Sequence, residues 1–218
     1  AALASPRMWL SFNSIGAGAS VNHLHWQLFI PSASPTDEFP LAVLMKAAGG
    51  TAIRHSGRCL GGGDGGRVEL SRTPDAWPLE GWSFSLEGAD AAIELLASCV
   101  FEFLRGLQGL DVAHNVLVGS GGARVVVFPR RITNQQGTDV TRLQVAGHEV
   151  LGWWIIPQRA DFDGFSQRLA SELLAAVSLP EDEHAAVIGL LRGLGWHVPE
   201  ISGAPGSSDS ASRTEASE

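Results

Sequence analysis

His23-Leu24-His25-Trp26-Gln27 sets two imidazoles and a carboxamide at intervals of two residues, and that interval decides how the chain is read. An extended strand sends alternate side chains to opposite faces, with neighbours i and i+2 roughly 6.6 Å apart. His23, His25 and Gln27 therefore share one face of a strand expected over residues 23–29 and closed by Pro31. Leu24 and Trp26 are expected to face a core on the other side. Taken alone, a His-x-His pair also suits an ordinary polar face or a stray metal site. The stretch upstream, Gly16-Ala17-Gly18-Ala19-Ser20-Val21-Asn22, changes that balance. Its small residues let backbone N–H groups approach an anion, and the Ser20 hydroxyl and Asn22 amide add hydrogen-bonding groups. Together they describe a phosphate pocket feeding a histidine strand, with His25, His23 and Gln27 as candidate catalytic residues. Gly16, Gly18, Ser20 and Asn22 are the candidate binding residues.

The whole segment, from Asn13-Ser14-Ile15-Gly16 through His25-Trp26-Gln27, resembles the active-site segment of the GDP-hexose phosphorylases. That family, comprising GDP-D-glucose and GDP-L-galactose phosphorylase, is a branch of the histidine-triad superfamily in which glutamine replaces the third histidine. Three later stretches are similar to the family's C-terminal half and occur in the same order. They are Gly81-Trp82-Ser83-Phe84-Ser85-Leu86-Glu87-Gly88, then His114-Asn115-Val116-Leu117-Val118 leading to Val127-Phe128-Pro129, then Glu149-Val150-Leu151-Gly152 before Pro157-Gln158-Arg159. The likeness runs from about residue 8 to residue 195. Arg130 stands where the family pattern has glutamine after Phe-Pro, and Trp153 where it has histidine after Glu-x-x-Gly.

The resemblance implies an α+β fold, an antiparallel sheet with flanking helices, histidine-triad-like. It also implies a two-step reaction on a GDP-hexose. His25 attacks the α-phosphorus, forming a guanylylated histidine and releasing hexose 1-phosphate, and inorganic phosphate then attacks the phosphoramidate and leaves as GDP. A neutral imidazole needs no deprotonation to act in this way. Gln27 can donate to a phosphoryl oxygen but cannot protonate a leaving group, so glutamine favours transfer over hydrolysis. Ser20 and the Gly16 and Gly18 backbone would donate to phosphate oxygens as oxyanion-hole donors do. Asn22 either donates likewise or closes the turn, and His23 either steadies the leaving side or is structural or metal-binding, as in related uridylyltransferases. The partners are a GDP-hexose and inorganic phosphate, with no cofactor and no resident metal, and a homodimer is left open.

The family carries a large segment before this motif, and the first residue is Ala1, so the chain is expected to lack an N-terminal part holding base and ribose contacts. Two other readings stay open: another nucleotide phosphorylase or hydrolase of the superfamily, or an inactive remnant acting as a binding protein.

Composition supports a globular protein. The 218 residues can bury a sizeable core, and the net charge of −8 with no basic stripe argues against a nucleic-acid surface. No apolar run approaches the ~20 residues of a membrane span, and no basic, apolar leader opens the chain. Cys59 and Cys99 form neither a metal-ligand pair nor a disulfide framework, which suits a cytoplasmic protein. Arg130-Arg131 reads as a solvated charge pair, and the remaining histidines as ordinary surface or core residues.

Residues 1–75 read as the end of a catalytic histidine-triad-like unit with its loop, 76–199 as a C-terminal α+β unit, and 200–218 as a disordered tail. The run Gly61 to Gly66 lacks the Gly-Lys-Ser/Thr ending of a P-loop and reads as a flexible connection. Ile93, Leu96, Val100 and Leu104 recur at helical spacing within Asp90 to Leu107. Val112–Val118 and Arg124–Phe128 read as a hairpin across Gly119-Ser120-Gly121-Gly122. Glu149–Ile156 reads as another strand, and Phe162, Phe165, Leu169, Leu173 and Val177 as one helix. A last helix is expected with Ser178 as its cap and Pro180 in its first turn.

Overall fold

The computed structural model describes residues 7–19, 24–31, 38–47, 55–56, 67–87, 93–133 and 143–198. Seven strands form one antiparallel sheet in the order β2-β1-β6-β7-β5-β4-β3. In chain order these are β1 (Trp9–Asn13), β2 (Gln27–Phe29), β3 (His55–Ser56), β4 (Arg67–Arg72), β5 (Trp82–Glu87), β6 (Ala113–Gly119) and β7 (Arg124–Arg130). Strands from before and after residue 75 thus share one sheet. The central pair β6 and β7 is joined as the expected hairpin, with a 3-10 turn at Ser120–Gly122 in which Gly121 and Gly122 take positive φ. Both strands are buried nearly throughout, because helices cover the sheet on both faces.

On one face, α2 (Ile93–Gly109) lays Leu96, Cys99, Val100, Phe103 and Leu107 against Val116, Val125, Val127 and the inward residues of β4 and β5. That three- and four-residue spacing is the expected helical stripe. Phe84 from β5 packs on Phe103 at 5.6 Å and edge-on against Trp196 at 5.6 Å. α6 (Glu181–Gly193) completes this layer through Val187, Ile188 and Leu191. The opposite face is covered by α1 (Pro40–Ala47), α3 (Gly147–Val150) and α5 (Gln167–Ala176), which enclose Trp9, Leu117, Val126 and Phe128.

Several expectations are corrected. Glu149–Ile156 is not a strand: residues 147–150 form α3, which the Glu149 carboxylate caps by accepting from the Ala146 N–H at 2.9 Å. Gly152 then turns the chain at φ +94, and Trp153 to Ile156, though alternating between exposed and half-buried, pair with no strand among the described residues. The single helix expected through Phe162 and Val177 is two, α4 (Arg159–Gly164) and α5. Phe165 adopts ψ 135, and Ser166 caps α5 by accepting from Leu169 N at 3.2 Å. The last helix starts later than Ser178: Pro180 sits before its first turn with ψ 157, and no side chain caps it. Cys99 is a free, buried thiol whose pKa is pushed up by that burial and, secondarily, by Glu102. The Gly61–Gly66 run, Cys59 and the 200–218 tail lie outside the described residues.

α6 is also tied to the loop before β5 by His184 Nε2 and Glu80 Oε1, 2.6 Å apart. The hydrogen bond to Glu80 raises the His184 pKa above its ordinary 6.5, against opposition from burial and Arg72. A raised folded-state pKa means that this stabilisation is complete below pH 6.5 and fades as pH rises through the higher, folded value. Melting should therefore lose a few degrees between pH 6 and pH 8.5, at roughly 2–4 °C per kcal/mol. In His184→Gln the loss should shrink. Thermal melts of both proteins at the two pH values check this, and an identical loss in the variant would exclude the pair as its source.

Candidate functional site

The polar floor of the site grows from β1. Its sequence Trp9-Leu10-Ser11-Phe12-Asn13 alternates, and Ser11 and Asn13 turn inward with Trp9. β1 pairs on one side with β6, setting Asn13 opposite Asn115, and on the other with β2, setting Ser11 opposite Gln27 and Trp9 opposite Phe29. Three polar residues from neighbouring strands, Asn13, Asn115 and Arg130, are consequently buried side by side.

Arg130 is 0% exposed, so for this residue the expected solvated pair is wrong. Only Arg131 is exposed. The Arg130 guanidinium donates from Nη1 to Asn115 Oδ1 at 3.2 Å and to the Val145 carbonyl, and from Nη2 to Thr133 Oγ1 at 3.1 Å. Burial pushes its pKa down to about 10, with the Glu149 charge opposing, so the cation persists at neutral pH. Glu149 is itself buried, held by the Ala146 N–H and by His148 Nε2 at 2.7 Å. A desolvated charge lasts only with such partners, since removing one leaves the other unpaired.

Above this floor the chain leaving β1 turns through Ser14 to Gly18. Ser14 is fixed by His114, donating its N–H to the His114 carbonyl at 3.0 Å and accepting from the His114 N–H at 2.7 Å. The His114 ring is buried, which pushes its pKa down, and its Nδ1 meets the Val112 carbonyl at 3.0 Å. Gly16 and Gly18 take φ of +82 and +85, the left-handed region that glycine enters without a Cβ penalty. Asn115 Nδ2 donates to the Ala17 carbonyl at 2.8 Å, and the Thr133 N–H to the Gly16 carbonyl at 2.9 Å. α3 sits so close to β1 that a Cβ on Gly147 would lie 1.5 Å from Ser11 Oγ.

The histidine strand is shorter than expected, because the ladder begins at Gln27 and residues 24–26 precede it. Its phase is also reversed relative to the core. Leu24 and Trp26 do not face a core: they are 76% and 47% exposed, whereas His25, Gln27 and Phe29 are the half-buried positions. The β1 register explains this, since Gln27 and Phe29 oppose the inward residues Ser11 and Trp9. Trp26 instead lies against Phe12, at 5.5 Å, on the far face. His25 and Gln27 thus fall on the half-buried row of this segment, with Gln27 opposite Ser11 on the floor side of β1. Gln27 Oε1 and Ser11 Oγ are enclosed and have no hydrogen-bond partner among the described residues. His23, Ser20 and Asn22 lie outside the described residues.

Ser11, Asn115, Arg130, Thr133 and Glu149 are the polar residues that the sequence did not single out for the site. Ser11 and Asn13 carry a detectable signal, polar residues two apart in an apolar strand leading into a glycine turn. Arg130 carries none, because a charge after an apolar run reads as a strand end. Among the described residues, no group of three or more His, Cys, Asp or Glu is gathered for a metal ion, and no helix is long and apolar enough to cross a membrane.

Known proteins share this architecture. The family description "GDPGP1-like, C-terminal domain" matches residues 67–193, from the start of β4 to the end of α6. The match takes in Asn115, Arg130 and Glu149 and stops short of His25 and Gln27. GDP-L-galactose phosphorylase 2 of Arabidopsis thaliana is 26% identical over 190 residues, covering 84% of this chain and 39% of that protein. Human GDP-D-glucose phosphorylase 1 is 25% identical over 210 residues, covering 85% of this chain and 47% of that protein. The chain therefore spans less than half the length of these relatives. The crystal structure of yeast Ap4A phosphorylase Apa2 in complex with AMP superposes with a TM-score of 0.56 at 18% identity, covering 79% of this chain and 56% of that one. The fold is accordingly an α+β, histidine-triad-like antiparallel sheet with flanking helices.

Proposed function

Because this chain belongs to the GDPGP1-like family through its C-terminal domain, we propose that it carries the transfer site of a nucleotide phosphorylase whose substrates are a GDP-hexose and inorganic phosphate. One observation supports this most directly: His25 and Gln27 fall on the half-buried row whose Gln27 opposes Ser11, on the face of β1 that carries the buried polar floor, and β1 itself runs on into the left-handed Gly16–Gly18 turn. His25 is the nucleophile. Its imidazole attacks the α-phosphorus, the bond to hexose 1-phosphate breaks, and phosphate then displaces the guanylyl group to give GDP. The Gly16 and Gly18 backbone, with Ser20 and Asn22, supplies hydrogen bonds to the phosphoryl oxygens, and His23 steadies the leaving side. Gln27 donates its carboxamide to the same group. The net charge of −8 accords with a small nucleotide substrate and not a nucleic acid, in a cytoplasmic setting. We read residues 1–75 as the end of the catalytic unit and 76–199 as its C-terminal partner.

The direct test is to incubate the full-length protein with GDP-glucose or GDP-L-galactose and phosphate and to follow GDP and hexose 1-phosphate, residues 1–218 alone being expected to be weak or inactive. Phosphate-dependent formation of both is expected. GMP release independent of phosphate would favour a hydrolase, and diadenosine tetraphosphate as the better substrate would move the reading to another phosphorylase.

Gln27→His separates transfer from hydrolysis within one constellation. An imidazole at position 27, roughly 6.6 Å along the chain from His25, could protonate a departing group or activate water. The GMP-to-GDP ratio from GDP-glucose, measured without and with phosphate, should rise several-fold in the variant. An unchanged ratio would assign the choice to water exclusion by the rest of the pocket.

A further inference from the structure

We propose that Asn115, oriented by the buried Arg130, is a positioning residue that aims the Gly18 amide at the bound phosphate. The inference rests on the phosphate-loop reading above and deepens it. A guanidinium has donors only, so the Asn115 atom that meets Arg130 Nη1 at 3.2 Å is its carbonyl oxygen. The amide is thereby fixed without ambiguity, and its Nδ2 must face the other way. Nδ2 has two hydrogens and two acceptors, Asn13 Oδ1 and the Ala17 carbonyl, each at 2.8 Å.

The second of these bonds sets a peptide plane. In a trans peptide the C=O of one residue and the N–H of the next point in opposite directions. Asn115 draws the Ala17 carbonyl down onto the floor, so the N–H of Gly18 turns up and away from it. Gln27 belongs to the same face of the sheet as this floor, opposite Ser11, with His25 two residues before it on the half-buried row. Gly18 then continues at φ +85, a conformation that preserves this tilt without a side-chain clash. Arg130 holds the neighbouring peptide by a second route: its Nη2 donates to Thr133 Oγ1, and the Thr133 N–H holds the Gly16 carbonyl at 2.9 Å. The guanidinium is fully enclosed and cannot itself touch substrate. Its effect must pass through the two residues that grip the loop. Fixing a donor before the charge arrives spares the reorganisation that a free loop would undergo.

The test titrates inorganic phosphate into 15N-labelled protein and follows the Gly18 amide resonance. In the wild type that resonance should shift on binding. Asn115→Asp is nearly isosteric, keeps a partner for Arg130, and replaces both Nδ2 donors with a carboxylate oxygen facing two acceptors. The Gly18 resonance should move in the apo variant, and phosphate binding should weaken at least tenfold. If that variant fails to fold, Arg130→Lys serves: it keeps the charge but loses the fork that fixes the amide, and the same shift should fall several-fold. Thr133→Val, which leaves the Asn115 bonds in place, should retain most of the Gly18 response. A folded Asn115→Asp or Arg130→Lys protein with wild-type Gly18 response to phosphate overturns the relay alone. A wild-type protein whose Gly18 does not respond to phosphate overturns the loop reading and the relay with it.

Discussion

In the full-length protein, His25→Asn should abolish guanylyl transfer, lowering turnover by roughly four or more orders of magnitude, as the loss of a catalytic unit's nucleophile does. The expectation follows from the covalent route. With no imidazole to take the guanylyl group, phosphate must attack the GDP-hexose directly, and two easier steps revert to one difficult one. Asparagine keeps a polar, planar group at a half-buried position, so the β1–β2 pairing and the floor beneath should persist. Substrate binding should survive for the same reason. The decisive measurement uses GDP-glucose labelled at the α-phosphorus: the wild type should retain acid-labile label on the protein, and the variant none. A variant that still makes GDP at an appreciable rate would remove His25 from the role of nucleophile.

Gly18→Val should cost about 10²- to 10³-fold in kcat/KM, the penalty usual for losing an oxyanion-type donor. Two independent terms act there. At φ +85 an L side chain pays roughly 1–2 kcal/mol, and the added Cβ would lie 2.9 Å from both the Val145 carbonyl oxygen and the Ala146 Cβ. The Val145 carbonyl also accepts from Arg130, so it cannot retreat cheaply. The chain must shift instead, taking the Gly18 N–H with it. Gly16 provides the control. It has nearly the same φ, +82, but the three atoms nearest its Cβ would all belong to the exposed Ile132 side chain, the closest at 3.1 Å, whose methyl ends can swing aside. Gly16→Ala should therefore lose stability while retaining much more activity. Steady-state kinetics and melting curves of the two variants check this, and equal kinetic losses would count against the Val145 contact as the cause.

How much of this was legible in the sequence depended on whether local pattern or tertiary partnership decided each element. The β6–β7 hairpin and α2 were legible because glycine turn chemistry and a three-to-four spacing are local signals. Glu149–Ile156 misled because an apolar run has no period of its own. Its first half became a helix through a side-chain cap, and its second half pairs with no strand among the described residues. Within the site, a period of two put His25 and Gln27 on one row, and both fall at half-buried positions. It could not say which face is covered, because alternation has no sign. The sign came from the β1 register, which turns Ser11 and Asn13 inward and leaves Trp26 outside. The buried Arg130 was beyond local reading altogether, since its partners Asn115, Val145 and Thr133 assemble only when β6, β7 and the chain before α3 meet.

The three-residue ladder that joins β2 to β1 constrains how the gene can drift. Because successive side chains alternate faces, a slip of one residue would exchange the whole set. A single codon gained or lost between His25 and Phe29, with Phe29 still opposite Trp9, would send Trp26 or Leu24 onto the polar floor and turn an imidazole out to solvent. Point substitutions on the outward row of Leu24, Trp26 and Leu28 leave the inward geometry alone. Variation here should therefore run through replacement, and length changes should be confined to the loops on either side or come as compensating pairs.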